Sequence, residues 1–63
     1  MTLREVWENK GYSPTQVAAA AGISVTTLYK VNRKEVVSNR TLIDVCKALG
    51  ISRKEYEALE ADK

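Results

Sequence analysis

Ser13-Pro14-Thr15-Gln16-Val17-Ala18-Ala19-Ala20-Ala21-Gly22-Ile23-Ser24-Val25-Thr26-Thr27-Leu28 is the stretch on which the fold turns. Ser13 offers a side-chain oxygen to the unpaired amides of a helix start, Pro14 suits the first helical position, where no amide donor is needed, and Gln16 completes a capping box. Val17 to Ala21 sustain the helix. Gly22 permits the left-handed backbone that ends it, Ile23 is placed to insert into a core, and Ser24 caps a further helix. Ala18 and Gly22 bring the smallest side chains to the point where that next helix crosses. Two short helices meeting at so tight a turn predict a helix-turn-helix.

The same signals recur on both sides. Before the turn, Thr2 and Glu5 form a capping box ahead of Leu3, Val6 and Trp7, which share one helical face, and the helix runs to about Lys10 with Gly11 as its stop. After it, the helix starting at Val25 carries Leu28 and Val31 and extends to about Arg33, and Asn32 to Val37 reads as a looser polar stretch. Ser38 then caps a helix with Leu42, Val45, Cys46 and Leu49 on one side, ended by Gly50. Ile51 is expected to point inward, Ser52 and Glu55 to box the start of a last helix, and Tyr56 and Leu59 to supply its apolar contacts. No strand pattern competes. The expectation is a single all-α domain over residues 1–63.

Composition narrows the chemistry. With 63 residues the chain is one domain, and with no histidine and one cysteine it has no near-neutral base, zinc-finger ligand set or disulfide framework. Cys46, between Val45 and Ala48, reads as a small buried apolar residue. An enzyme, a cofactor or metal requirement and a small-molecule substrate are therefore not expected. No apolar run reaches the ~20 residues that span a bilayer, and Met1-Thr2-Leu3-Arg4-Glu5 lacks the basic and apolar segments of a signal peptide. A cytoplasmic, nucleoid-associated protein without membrane contact is the expectation.

The net charge of +2 conceals an asymmetry: no carboxylate lies between Glu8 and Glu35, a stretch that carries Lys10, Lys30, Arg33 and Lys34. Glu55, Glu57, Glu60 and Asp62 crowd the end of the chain. One positive and one negative surface are expected.

The segment quoted first resembles the DNA-binding core of the phage repressor and Cro family, also called XRE. Leu3-Arg4-Glu5 before Lys10-Gly11 resembles the family's first helix, and Ser38, Thr41-Leu42 and Lys47-Ala48-Leu49-Gly50-Ile51-Ser52 resemble its fourth helix and following turn. This resemblance implies a compact five-helix, lambda-repressor-like domain whose third helix enters the major groove of double-stranded DNA. It also implies a sequence-specific, Cro/repressor-like transcriptional regulator of phage, mobile-element or bacterial type.

Three positions depart from the family pattern. Pro14 stands where the family usually has a glutamine that contacts phosphate or a neighbouring glutamine, so a phosphate contact there is expected to be either weakened or moved to Thr15 and Gln16. Trp7 and Asn32 stand where an arginine and a glutamate often pair, so Trp7 is expected to pack over the end of the third helix with its indole N–H facing Asn32 or solvent. Lys34 replaces the usual glycine after that helix, so a different turn is expected there.

At roughly 100° per residue, Ser24, Leu28 and Val31 cluster on one side of the third helix and Thr26, Tyr29, Lys30 and Arg33 on the other, with Val25 at the edge. Carried over from the family, Val25, Thr26, Tyr29 and Lys30 are the base-reading candidates. A valine or threonine methyl suits a thymine methyl, and lysine reaches guanine O6 or N7. Thr15, Gln16, Arg33, Lys34, Asn39 and Arg40 are the phosphate-binding candidates, the last two at a helix start that matches the family's backbone contacts. Plainer readings stand beside these. Val25 and Thr26 are also ordinary first-turn residues, Tyr29 also suits packing on a neighbouring helix, and lysines and arginines are exposed in most helices.

A homodimer on a two-fold operator is expected, because one helix in one groove reads few bases. Tyr56 and Leu59, with Ile51 nearby, offer the apolar surface for pairing, so dimerisation is expected to be weak without DNA unless the chain is a fragment. Two alternatives stay open. One is a protein-interaction module of the same fold, an antirepressor or antitoxin-like adaptor, which Pro14 favours and the acid-free stretch opposes. The other is an architectural or excision accessory factor that bends DNA.

Overall fold

The computed structural model describes residues 1–62. It contains α1 (Leu3–Asn9), α2 (Pro14–Ala21), α3 (Val25–Asn32), α4 (Asn39–Leu49) and α5 (Arg53–Glu57). Every start lies where the sequence places it. Thr2, Ser13, Ser24, Ser38 and Ser52 hold extended backbone and each accepts the amide three residues on through its side-chain oxygen. Thr2–Glu5, Ser13–Gln16 and Ser52–Glu55 are reciprocal capping boxes. At Ser24 and Ser38 the third position is a threonine, and the paired hydroxyls lie 2.9 Å apart. A cap of this kind stabilises a helix by about 1 kcal/mol, which matters for helices of two or three turns. The backbone N–H of Thr2 holds the Glu5 carboxyl below its usual range. That contribution to the start of α1 is present above the unfolded pKa and is lost as pH falls through the lowered one.

Four helix ends share one closure, in which two successive amides turn back to carbonyls of the last turn. At the centre of the helix-turn-helix, Gly22 (φ +71) donates to Ala19 O at 3.2 Å and Ile23 donates to Ala18 O at 3.0 Å. Lys34 makes the same pattern after α3, donating to Val31 O at 3.1 Å, with Glu35 donating to Lys30 O at 2.9 Å. Its φ is +58. The different turn expected at this position is thus corrected: the lysine takes the backbone conformation a glycine would take. The side chain offsets part of the cost, since Nζ donates to Glu57 O at 3.1 Å and lies 4.8 Å from the Tyr56 ring centroid. A left-handed non-glycine residue costs roughly 1–2 kcal/mol. Lys34→Ala removes the contacts and keeps that cost, whereas Lys34→Gly removes both. The glycine variant is expected to be the more stable of the two by about 1 kcal/mol in urea unfolding, and equal midpoints would show the backbone there to be unstrained.

The core gathers Leu3 and Trp7 from α1, Val17, Ala18 and Ala21 from α2, Leu28 and Val31 from α3, Val45, Cys46 and Leu49 from α4, and Tyr56 from α5. Ile23, Ile51 and Leu59 pack against it half-buried, as their positions predict. Burial pushes the Cys46 thiol up, in keeping with an inert core residue. Tyr56, expected as part of an apolar pairing surface, is instead spent in this core, and its hydroxyl donates to Val31 O at 3.0 Å.

Asn32 is the main departure. It falls within the expected span of the third helix, to about Arg33, and not in the loose polar stretch also read from Asn32 onward: it is the last residue of α3, 2% exposed. Nor does it meet the Trp7 indole N–H, for which the sequence leaves either Asn32 or solvent as partner. Its Oδ1 accepts the Arg4 amide at 2.9 Å and its Nδ2 donates to Asp62 Oδ2 at 2.9 Å. Trp7 meets Tyr29 instead, edge to face, with ring centroids 6.0 Å apart. Among the described residues no helix is long and apolar enough to cross a membrane.

Candidate nucleic-acid interface

α3 buries Leu28, Val31 and Asn32 and leaves Thr26, Lys30 and Arg33 exposed. Its first turn is fixed by the Ser24 cap. The Thr27 hydroxyl is drawn back onto Ser24, which leaves Thr26 as the outward threonine. Val25 and Tyr29 are half-buried and lean on the core, and the Tyr29 ring is held at its edge by Trp7. These two therefore combine a packing role with whatever surface they present. Lys30 forms no ion pair among the described residues.

The cations that follow α3 are engaged. Arg33 Nε donates to Glu35, the first carboxylate after the acid-free stretch, and the Lys34 ammonium is tied to the end of α5. The charge separation along the chain is therefore only partly kept in space: Glu35 neutralises Arg33, and Asp62 pairs with Arg4 at 3.3 Å.

Thr15 and Gln16 are exposed at the start of α2, and Asn39 and Arg40 at the start of α4. Gln16 Oε1 accepts the Ser13 amide at 2.8 Å, and Asn39 Oδ1 accepts from Arg53 Nη1 at 2.7 Å. Because the partner in each case can only donate, the carboxamide oxygen is identified by chemistry, and the NH₂ group is the end left over. A carboxamide anchored by its oxygen and presenting donors is suited to an anion. Arg40 pairs loosely with Asp44 at 3.4 Å, and its side chain is 84% exposed, an interaction that contributes little against a competing phosphate.

Sequence reasoning missed Arg53, which orients Asn39 from another helix, and the Arg33–Glu35 pair. The second had a signal in the two-residue spacing beyond a helix end; the first, between residues on separate helices, had none. A concavity of about 110 Å³ lined by Tyr12, Gln16, Val17, Ala20 and Ala48 is smaller than the ~300 Å³ at which ligand pockets begin.

Compared with known proteins, the chain matches the family described as Cro/C1-type HTH DNA-binding domain over residues 2–62. No curated protein and no solved structure matches it.

Proposed function

Given that the chain belongs to the Cro/C1-type helix-turn-helix DNA-binding domains, we propose that it is a sequence-specific regulator of transcription that places α3 in the major groove. The observation that carries this reading is the outward side of α3. Thr26 and Lys30 stand exposed there, without a carboxylate partner, on a helix whose start is fixed by its cap and by the Gly22 turn. Val25, Thr26, Tyr29 and Lys30 then read base edges, with Tyr29 supported from behind by Trp7. Thr15, Gln16, Asn39 and Arg40 bind phosphates through donors at two helix starts, where the dipole also favours an anion. Arg33 and Lys34 join this set by exchanging Glu35 and the Glu57 carbonyl for phosphate.

Specificity from one short helix is limited, so two copies bind a two-fold operator with half-sites about 34 Å apart or a multiple of it. Selection of bound sites from a random duplex pool, at stated salt, tests the whole reading and is expected to return such a motif. Thr26→Ala should cost about 1 kcal/mol and relax the preference at one base pair. An unchanged selected motif would remove Thr26 from the reading set.

A second reading, a protein-binding module of the same fold, draws on Pro14, which occupies the first position of α2 and cannot donate there. It predicts that the selection enriches no duplex.

A further inference from the structure

The last turn of α3 is closed by the far end of the chain. Besides the two amides of its own turn, Tyr56 Oη donates to Val31 O at 3.0 Å and the Asp62 amide donates to Asn32 O at 3.1 Å. Asp62 also grips the same residue by its side chain: its Oδ2 accepts from Asn32 Nδ2 at 2.9 Å and lies 3.3 Å from Arg4 Nε. Two residues before the tail that follows α5 reaches this point it is fastened to the start of the chain, with Glu60 N donating to Met1 O at 2.9 Å and Thr2 and Glu60 paired as a parallel bridge. Asn32 completes the junction, because its Oδ1 holds the Arg4 amide at the start of α1. Its buried carboxamide is thus satisfied only while the tail is docked on one side and α1 on the other.

We propose that Asp62 is a positioning residue for DNA binding: docked on Asn32, it latches the carboxy-terminal end of α3 to α1 and so sets the angle at which α3 is presented. The inference rests on the proposed DNA-binding function. It touches no base or phosphate, and acts through Asn32 on the helix that does. An unlatched helix end swings about its fixed start at Ser24, which displaces Lys30 and Arg33 in the last turn more than Thr26 in the first.

Charge and position predict opposite signs. Asp62→Ala removes a negative charge from a protein that binds a polyanion, so a purely electrostatic residue at this site would leave affinity unchanged or raise it. A latch predicts a loss, roughly 2- to 30-fold for a coupling of this kind. The experiment titrates the 63-residue chain and its Asp62→Ala and Asp62→Asn variants with the duplex enriched from the random pool, far below their unfolding temperatures. Amide hydrogen exchange is followed at Arg33, Lys34 and Glu35, which close α3. Asp62→Ala is expected to bind more weakly with an unchanged salt slope and to exchange faster at those three amides, while Asp62→Asn, which keeps an acceptor for Asn32 Nδ2, stays near the parent. Equal or tighter binding by Asp62→Ala overturns the latch, as does an asparagine variant as weak as the alanine one. Failure of the parent to enrich any duplex overturns the DNA-binding reading itself, an outcome separate from either of these.

Discussion

Trp7→Ala is expected to cost about 3–5 kcal/mol and to leave little folded protein at 37 °C. Trp7 is 1% exposed and is the bulkiest fully buried side chain, so its removal opens a void at the meeting of α1 with α3 that the short helices cannot close without shifting. A chain of 63 residues has about 3–9 kcal/mol of stability in total at the usual yield per residue. One substitution therefore consumes a large share of it. The loss extends to the outer side of α3 because Tyr29 rests edge-on against the indole. Trp7→Phe keeps an aromatic edge at that place and is expected to lose less. Thermal unfolding followed by circular dichroism, with urea titration of whatever remains folded, checks both. A Trp7→Ala midpoint within a few degrees of the parent's would show that the indole is not the keystone between α1 and α3.

What the sequence discloses about this fold is mostly local. A helix start needs a hydroxyl three residues ahead of an amide, and Thr2, Ser13, Ser24, Ser38 and Ser52 carry that instruction within four residues of chain, so all of the starts are legible. The buried face of α3 is legible for the same reason, since Leu28 and Val31 follow the helical period. Asn32 is where local reading fails. A polar residue after an apolar period reads as the beginning of a loop, and what buries it are Arg4 and Asp62, far away in the chain. Lys34 fails differently. Its type argues against a left-handed backbone, and only the bonding of Lys34 and Glu35 back into α3, with the ammonium drawn to α5, shows why it adopts one. On the candidate interface, the sequence supplies which residues can donate, but not which are already occupied. Lys30, Arg33 and Lys34 are all cations of the acid-free stretch in the sequence, but in the fold Arg33 meets Glu35 and Lys34 meets the end of α5, whereas Lys30 has no ion-pair partner among the described residues.

That difference makes Lys30 the most informative single position for binding. Lys30→Glu is expected to reduce affinity for the selected duplex by about 2–4 kcal/mol, roughly 30- to 1,000-fold, because on the proposed major-groove reading it removes a cation from the outward side of α3 and sets an anion against the phosphates. The fold should survive. Lys30 is exposed and makes no ion pair among the described residues, so the structural penalty is limited to an acid in the last turn of α3, about 0.3–1 kcal/mol from the helix dipole. Lys30→Ala then separates the two roles available to the side chain. A phosphate contact predicts a nearly uniform loss across sequences and a salt slope smaller by about one unit, whereas a contact to guanine predicts a loss concentrated at one base pair. Titrations of both variants at two salt concentrations, with thermal unfolding run alongside, read these outcomes directly. If Lys30→Glu binds as tightly as the parent while remaining folded, α3 does not face the duplex, and the major-groove reading fails at its centre.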